Sequence, residues 1–221
     1  MSDDGPRQFY WRGVRVPFIA PWSGEKQPRV PLVLRPSLLG GEIGYEGEHP
    51  RLDRRNGILW VRMPAVRGVG YPRLAKVHAL RQRQAMAHML CQVCGRSTYG
   101  REDGTHLFLM ADRGGAPISE GETTAMPPIH ESCAAEALQH CPHMSDGAVA
   151  AWVKDPLPWG VAGVEYNPIT LAPIPTARKG QELTFAPYES PRVQWTIAAR
   201  DVVSLHGCIP VDVKHLVALA V

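Results

Sequence analysis

The apolar positions of this 221-residue chain keep no single period for long. Short runs are separated by proline and glycine, a pattern that predicts several short strands and a few helices. Residues 1–28 are broken by Pro6, Pro17, Pro21 and Pro28 and read as an irregular arm. Val30 to Leu34 reads as a short strand, and the Gly- and Glu-rich residues 40–49 as a loop. Asn56-Gly57 marks a turn into the clearest strand of the chain, Ile58 to Met63. Residues 73–90 form the best helix candidate, with Pro72 near its first turn and Leu74, Val77, Leu80, Ala87 and Leu90 along one side. Its far side carries Ala75, Ala85, Met86 and Met89, so this helix is expected to be covered twice. Thr105 to Met110 reads as a strand entering a hairpin around 105–115, and a helix starts near His130 and ends before Pro142. Farther on, Val149–Val153 and Gly160–Tyr166 read as two strands, and residues 167–191 as a Pro-rich connection. Ser190-Pro191 suits the cap of a helix running to Gly207, although the alternation Val193, Trp195, Ile197 also permits a strand. Asp212 suits the cap of a short helix with Leu216, Val217 and Leu219 inside.

These elements predict an α+β fold, loop- and Pro-rich, with short strands packed on either side of a central segment. Gly and Pro number 21 each, which argues against a helix bundle. Three stretches are expected to make one body: a basic strand and loop region at 1–72, a helix with the chemistry-bearing segment at 73–145, and an α+β region at 146–221. No apolar run approaches the ~18 residues that would span a bilayer. The residues after Met1 do not follow the pattern of a secretory signal, so a cytoplasmic protein is expected. The net charge of +3 is unevenly distributed. Residues 51–90 hold nine basic side chains, Arg51, Arg54, Arg55, Arg62, Arg67, Arg73, Lys76, Arg81 and Arg83, against one acid, Asp53. Such a block attracts phosphate backbones or acidic protein surfaces.

The metal chemistry is concentrated between residues 91 and 143. Cys91-Gln92-Val93-Cys94-Gly95 is a C-x2-C-G knuckle, in which one tight turn aims both sulfurs at one ion. His130 and Cys133 follow at i, i+3 spacing, which points both side chains the same way in the first turn of a helix. Three thiolates and one imidazole favour tetrahedral Zn2+. Cys141 and His143 compete for a ligand position, but Cys141 would lie about 12 Å along the helix axis from Cys133. Cys208 reads as a core thiol. Glu42, Glu46, Glu48 and His49 could hold a second metal, though acidic loops are common without one. Knuckle, hairpin, then helix N-terminus is an order that resembles a treble-clef zinc finger over residues 88–143, with Cys91, Cys94, His130 and Cys133 in the ligand positions. The whole chain resembles uncharacterised zinc-finger proteins of high-GC actinobacteria and their mobile elements. That resemblance rests on Leu80-Arg81-Gln82-Arg83-Gln84, the knuckle, Pro128–Cys133 and Cys141-Pro142-His143, and it implies no established activity.

Four protein ligands leave no open position on the ion, so the expected zinc is structural. The chain has no phosphate-binding loop, nucleophile elbow or H-E-x-x-H helix. An HNH-like nuclease would use a similar frame with His106 as base, but the Asp-His pair of that family is missing; His106 reads as a half-exposed strand residue. Two non-catalytic functions remain. Zinc-stabilised nucleic-acid binding, with DNA as the expected target, rests on the nine cations of residues 51–90. Arg7, Tyr10, Trp11, Arg12, Arg15 and Trp22 form an aromatic and basic mixture that would suit stacking on bases, although this arm is expected to pack on the domain. The alternative is a protein-interaction or scaffold module. One contiguous basic face would favour nucleic acid; arginines paired within the fold would favour the scaffold.

Overall fold

The computed structural model describes residues 5–37, 40–112, 114–141, 144, 147–176 and 182–218. The chain begins with a small hairpin, β1 (Tyr10–Trp11) and β2 (Val14–Arg15), and a second one, β3 (Leu32–Arg35) and β4 (Glu42–Tyr45). Strand β4 occupies the stretch expected to be a loop. Its glutamates masked the buried Ile43 and Tyr45, which supply an inward face. A third hairpin, β5 (Arg54–Arg55) and β6 (Ile58–Leu59), turns through Asn56-Gly57 as expected.

The helix expected over 73–90 is reduced to α1 (Ala79–Ala87). Residues 73–77 are drawn out of it because the Arg73 N–H donates to Pro21 and the His78 N–H to Ile19. The His78 ring then caps the helix by accepting from the Arg81 N–H. Next come β7 (His106–Ala111), β8 (Thr123–Thr124) and α2 (Glu131–His140), the last within the expected bounds. The two strands expected between 149 and 166 are one, β9 (Ala148–Glu165). It runs through Pro156 and Pro158 because these fall between its pairing with β7, which ends at Val153, and its pairing with β10 (Thr184–Pro187), which begins at Gly160. In that window β9 has a neighbour on one side only, where proline is tolerated.

Ser190 caps only a short 3-10 turn, Pro191–Trp195, before β11 (Thr196–Val211) begins. The strand therefore prevails over the helix at this position. Register shifts between Ala198 and Arg200 and between Val202 and Val203 break the alternation, so Val202 and Val203 are both buried. The chain then enters α3 (Val213–Ala218), capped by Asp212. Leu216 points inward as expected, but Val217 is exposed; Leu219 lies outside the described residues.

The main sheet is antiparallel in the order β10-β9-β11-β8, with β7 also on β9. Among the described residues β7 pairs with β9 and not with the segment after it, in place of the hairpin expected around 105–115. Successive β7 residues face opposite layers. Leu107 and Leu109 pack with Ala150, α2, α3 and the knuckle; Phe108 packs with Ala151, Val203, Leu205 and Met86 of α1. Helices thus cover both faces of this sheet.

A fully buried amide ties α1 to the sheet. Gln82 Nε2 donates to the carbonyls of Ala125 (2.8 Å) and Asp201 (2.9 Å), and its Oε1 accepts from the Asp201 N–H (3.0 Å). Replacing Gln82 by Leu keeps the volume but strands three buried backbone groups, each a source of about 1–3 kcal/mol of destabilisation before relaxation. The Gln82→Leu variant is expected to lose roughly 2–4 kcal/mol. Urea unfolding measures this, and an unchanged midpoint would refute the tie.

Candidate metal centre

The site is assembled where α1 ends. Met89 adopts a left-handed conformation (φ 45), and the Leu90 N–H bonds the Ala85 carbonyl at 2.8 Å, closing the helix and aiming the chain into the knuckle. Within the knuckle, the Gly95 N–H donates to Cys91 O and the Cys91 N–H to Arg96 O, both at 2.8 Å. Gly95 has φ 72, and a Cβ there would meet Phe18 and Pro6 at 2.7 Å, so both conformation and space require glycine. The outer edge of the knuckle is held by the N-terminal arm, whose Phe18 and Ile19 N–H groups donate to Val93 and Gln92. Its inner edge is held by Gln92. The Gln92 N–H donates to Pro128 O and its side chain to Pro127 O. These two bonds bring the segment leading to the second ligand pair alongside the first.

Cys91, Cys94, His130 and Cys133 meet as expected, with their donor atoms all within 4.8 Å of one another. They can hold a metal ion. Bonds of about 2.0–2.3 Å in tetrahedral geometry put neighbouring ligand atoms about 3.5–3.8 Å apart, a spacing inside the 4.8 Å that bounds this cluster. His130 is the N-cap of α2. Its Nδ1 lies 3.3 Å from Cys94 Sγ, and its Nε2 lies 2.9 Å from Ser97 O. A proton on Nε2 donated to Ser97 leaves Nδ1 as the ligand. Donors reach all three sulfurs: the His130 N–H faces Cys91 Sγ at 3.5 Å, Arg15 Nη1 faces Cys133 Sγ at 3.6 Å, and the Arg96 backbone bonds Cys94. Hydrogen bonds from Cys133 and Cys91 hold the Cys94 thiol well below its usual range, while contacts with Cys91 and Cys94 push the Cys133 thiol up. The same two cysteines, Cys91 foremost, raise the His130 imidazole to about 10. Three thiols and an imidazole pressed together in the core form a set that a cation would relieve.

A cavity of about 570 Å³ opens beside the cluster, between Tyr10 and Arg15 of the first hairpin and Ser132 of α2. Cys141 sits at the C-terminal cap of α2, outside the cluster, and His143 lies outside the described residues. Cys208 is half-buried, not a full core thiol, and burial pushes its pKa up to about 11. The Arg15 contact has no local signal, since 118 positions separate it from Cys133.

Comparisons with known protein families, with curated proteins and with solved structures gave no match.

Most of the basic block is engaged inside the fold. Arg54 bonds Glu48 and Glu42, and Arg55 bonds Asp201. Arg62 holds Asp53 through two 2.7 Å bonds and stacks on Tyr45. Arg67 lies over Phe9 and Phe18, Arg83 lies over Trp60, and Arg81 holds Glu25 in a buried, two-pronged pair. Arg51, Arg73 and Lys76 are exposed, with no ion pair among the described residues. Of the carboxylates considered for a second metal, Glu42 and Glu48 are held by Arg54, Glu48 also pairs with Arg35, and Glu46 is exposed; only the Cys3His cluster gathers three or more metal-ligating groups among the described residues. His106 is buried, not half-exposed; it bonds Thr98 Oγ1 at 2.7 Å, and burial lowers its pKa. Tyr10 and Trp11, expected to pack, are exposed on the first hairpin.

Two outcomes follow. Cys94→Ser should lose the metal by elemental analysis and lower the melting temperature, whereas Cys141→Ser should keep both. Full metal content in Cys94→Ser would refute the ligand set. Burial alone would raise the Glu25 pKa, but Arg81 and the Trp22 N–H more than offset this and hold it below the ordinary 4.5. A group with a depressed native pKa adds stability above its unfolded pKa, and that contribution is lost as pH falls through the folded one. Acid unfolding of the wild type should therefore steepen below about pH 4.5. In Glu25→Gln, which leaves Arg81 buried without its anion, stability should drop by about 3–5 kcal/mol at neutral pH and this acid dependence should flatten.

Proposed function

We propose that the cluster holds a structural zinc ion and that the fold it staples is a protein-interaction module. Three soft thiolates and one imidazole are the donor set that zinc takes in closed, four-coordinate sites. The ligand order, a knuckle followed by a helix N-terminus, is that of a treble clef, with the departure that β7 pairs with β9. Such an ion closes a segment poor in regular structure, and its binding energy becomes folding energy.

The observation that carries the interaction reading is the fate of the arginines. Arg54, Arg55, Arg62 and Arg81 are neutralised by carboxylates, and Arg67 and Arg83 lie over aromatic rings. Charges fixed in this way act as internal struts and have little reach toward phosphate. The second reading, nucleic-acid binding, is favoured by Arg51, Arg73 and Lys76, which remain exposed and unpaired among the described residues, and by the exposed Tyr10 and Trp11. Few phosphate contacts give weak affinity and a shallow salt slope.

The test is binding of zinc-loaded protein to labelled duplex DNA, single-stranded DNA and RNA across a salt series. The interaction reading expects no micromolar binding at physiological salt. Micromolar or tighter binding that weakens steeply with salt would overturn it in favour of nucleic acid.

A further inference from the structure

The stretch from residue 54 to residue 101 contains no Asp or Glu. Its central loop, residues 64–76, crosses the surface without regular structure yet is held firmly. The Ser23 N–H donates to Tyr71 O (2.8 Å), the Gly24 N–H to Val69 O (3.1 Å), and the Arg73 N–H to Pro21 O (2.8 Å). The Tyr71 N–H in turn donates to Ser23 Oγ, and Trp22 bridges to Pro72. Gly24 is pressed so closely by Val69 that a Cβ there would lie 2.8 Å from its side chain.

This fixed loop turns its apolar side chains outward. Val66 is 43% exposed, Val69 56%, Tyr71 54% and Leu74 48%. An ordered loop that keeps four apolar residues in water points to a binding surface more than to a packing error. Arg73 and Lys76 lie within it and Lys26 follows the segment it pairs with; all three are exposed without an ion pair among the described residues. The acid next to Lys26 in sequence, Glu25, is buried and held by Arg81, and Asp53, the acid nearest the loop in sequence, is held by Arg62.

We infer that residues 64–76, with Lys26, form the docking surface for an acidic, amphipathic segment of a partner protein. This rests on the interaction-module reading and names its surface. Cations without counter-ions beside exposed aliphatic groups complement a chain carrying carboxylates next to apolar side chains. A phosphate backbone would satisfy the cations but leave Val66, Val69 and Leu74 in water.

The experiment is an NMR titration of the full zinc-loaded chain with three probes. They are a synthetic peptide mixing Glu with Leu and Phe, a Glu-only peptide of equal length, and a single-stranded DNA oligonucleotide. The mixed peptide should shift the amides of Lys26 and residues 64–76 and bind at least about tenfold more tightly than either other probe. Arg73→Glu/Lys76→Glu and Val69→Ser/Leu74→Ser, both surface changes with melting temperatures expected to stay put, should each weaken it about tenfold or more. Shifts confined to other residues would overturn this surface while leaving the interaction reading intact. Binding indifferent to Val69→Ser/Leu74→Ser would also overturn it, as would loop shifts caused by self-association of the chain. Oligonucleotide binding at the loop with no peptide binding anywhere would overturn both readings.

Discussion

Two ligand pairs 36 positions apart must meet at one point, and the rest of the structure is arranged around that requirement. Closing such a loop costs conformational entropy before any contact returns it. Gln92 performs much of the closure, with its main chain on Pro128 and its side chain on Pro127. The intervening chain is not idle. It forms β7, whose Leu107 carbonyl accepts from the Ile129 N–H one residue before His130. The first ligand pair is therefore fixed by the end of α1, and the second by the edge of the sheet. A metal ion would add to an arrangement that hydrogen bonds already define.

The site was legible in the sequence because its information is local. C-x2-C and H-x2-C spacings are properties of one turn each, and a four-coordinate ion would require the two pairs to meet. The strands were less legible because their stability comes from partners far away. β9 continues through two prolines only because its neighbours leave a gap there, which no window of sequence reveals. β11 conceals its alternation behind two register shifts. In α1, Arg81 and Gln82 are buried although both side chains are polar, because Glu25 and the Ala125 and Asp201 carbonyls wait for them. The spacing rightly foretold that Cys91, Cys94, His130 and Cys133 come together, whereas Arg15 was singled out for a different reason than its contact with Cys133.

Charge counting was the least transferable part of the sequence reading. A block of arginines looks like a surface until the carboxylates and rings that meet it are known. Arg55 reaches Asp201 across 146 positions, so part of the basic block is neutralised from a distant part of the same chain. Guanidinium groups suit this work because they stack on aromatic faces and bond carboxylates in pairs.

The tie between Gln82 and Asp201 spans 119 positions, and β9 is flanked along most of its length by β11. During synthesis, the knuckle and α2 leave the ribosome well before β11 does. Until then α1 lacks the Asp201 carbonyl and amide that its buried glutamine bonds, and one edge of β9 stays unpaired. The four residues of the Cys3His cluster can thus come together while the layers around them are still incomplete. Assembly of this fold is accordingly a late event in which distant pairings close together, and the nascent chain must be shielded from its neighbours in the meantime.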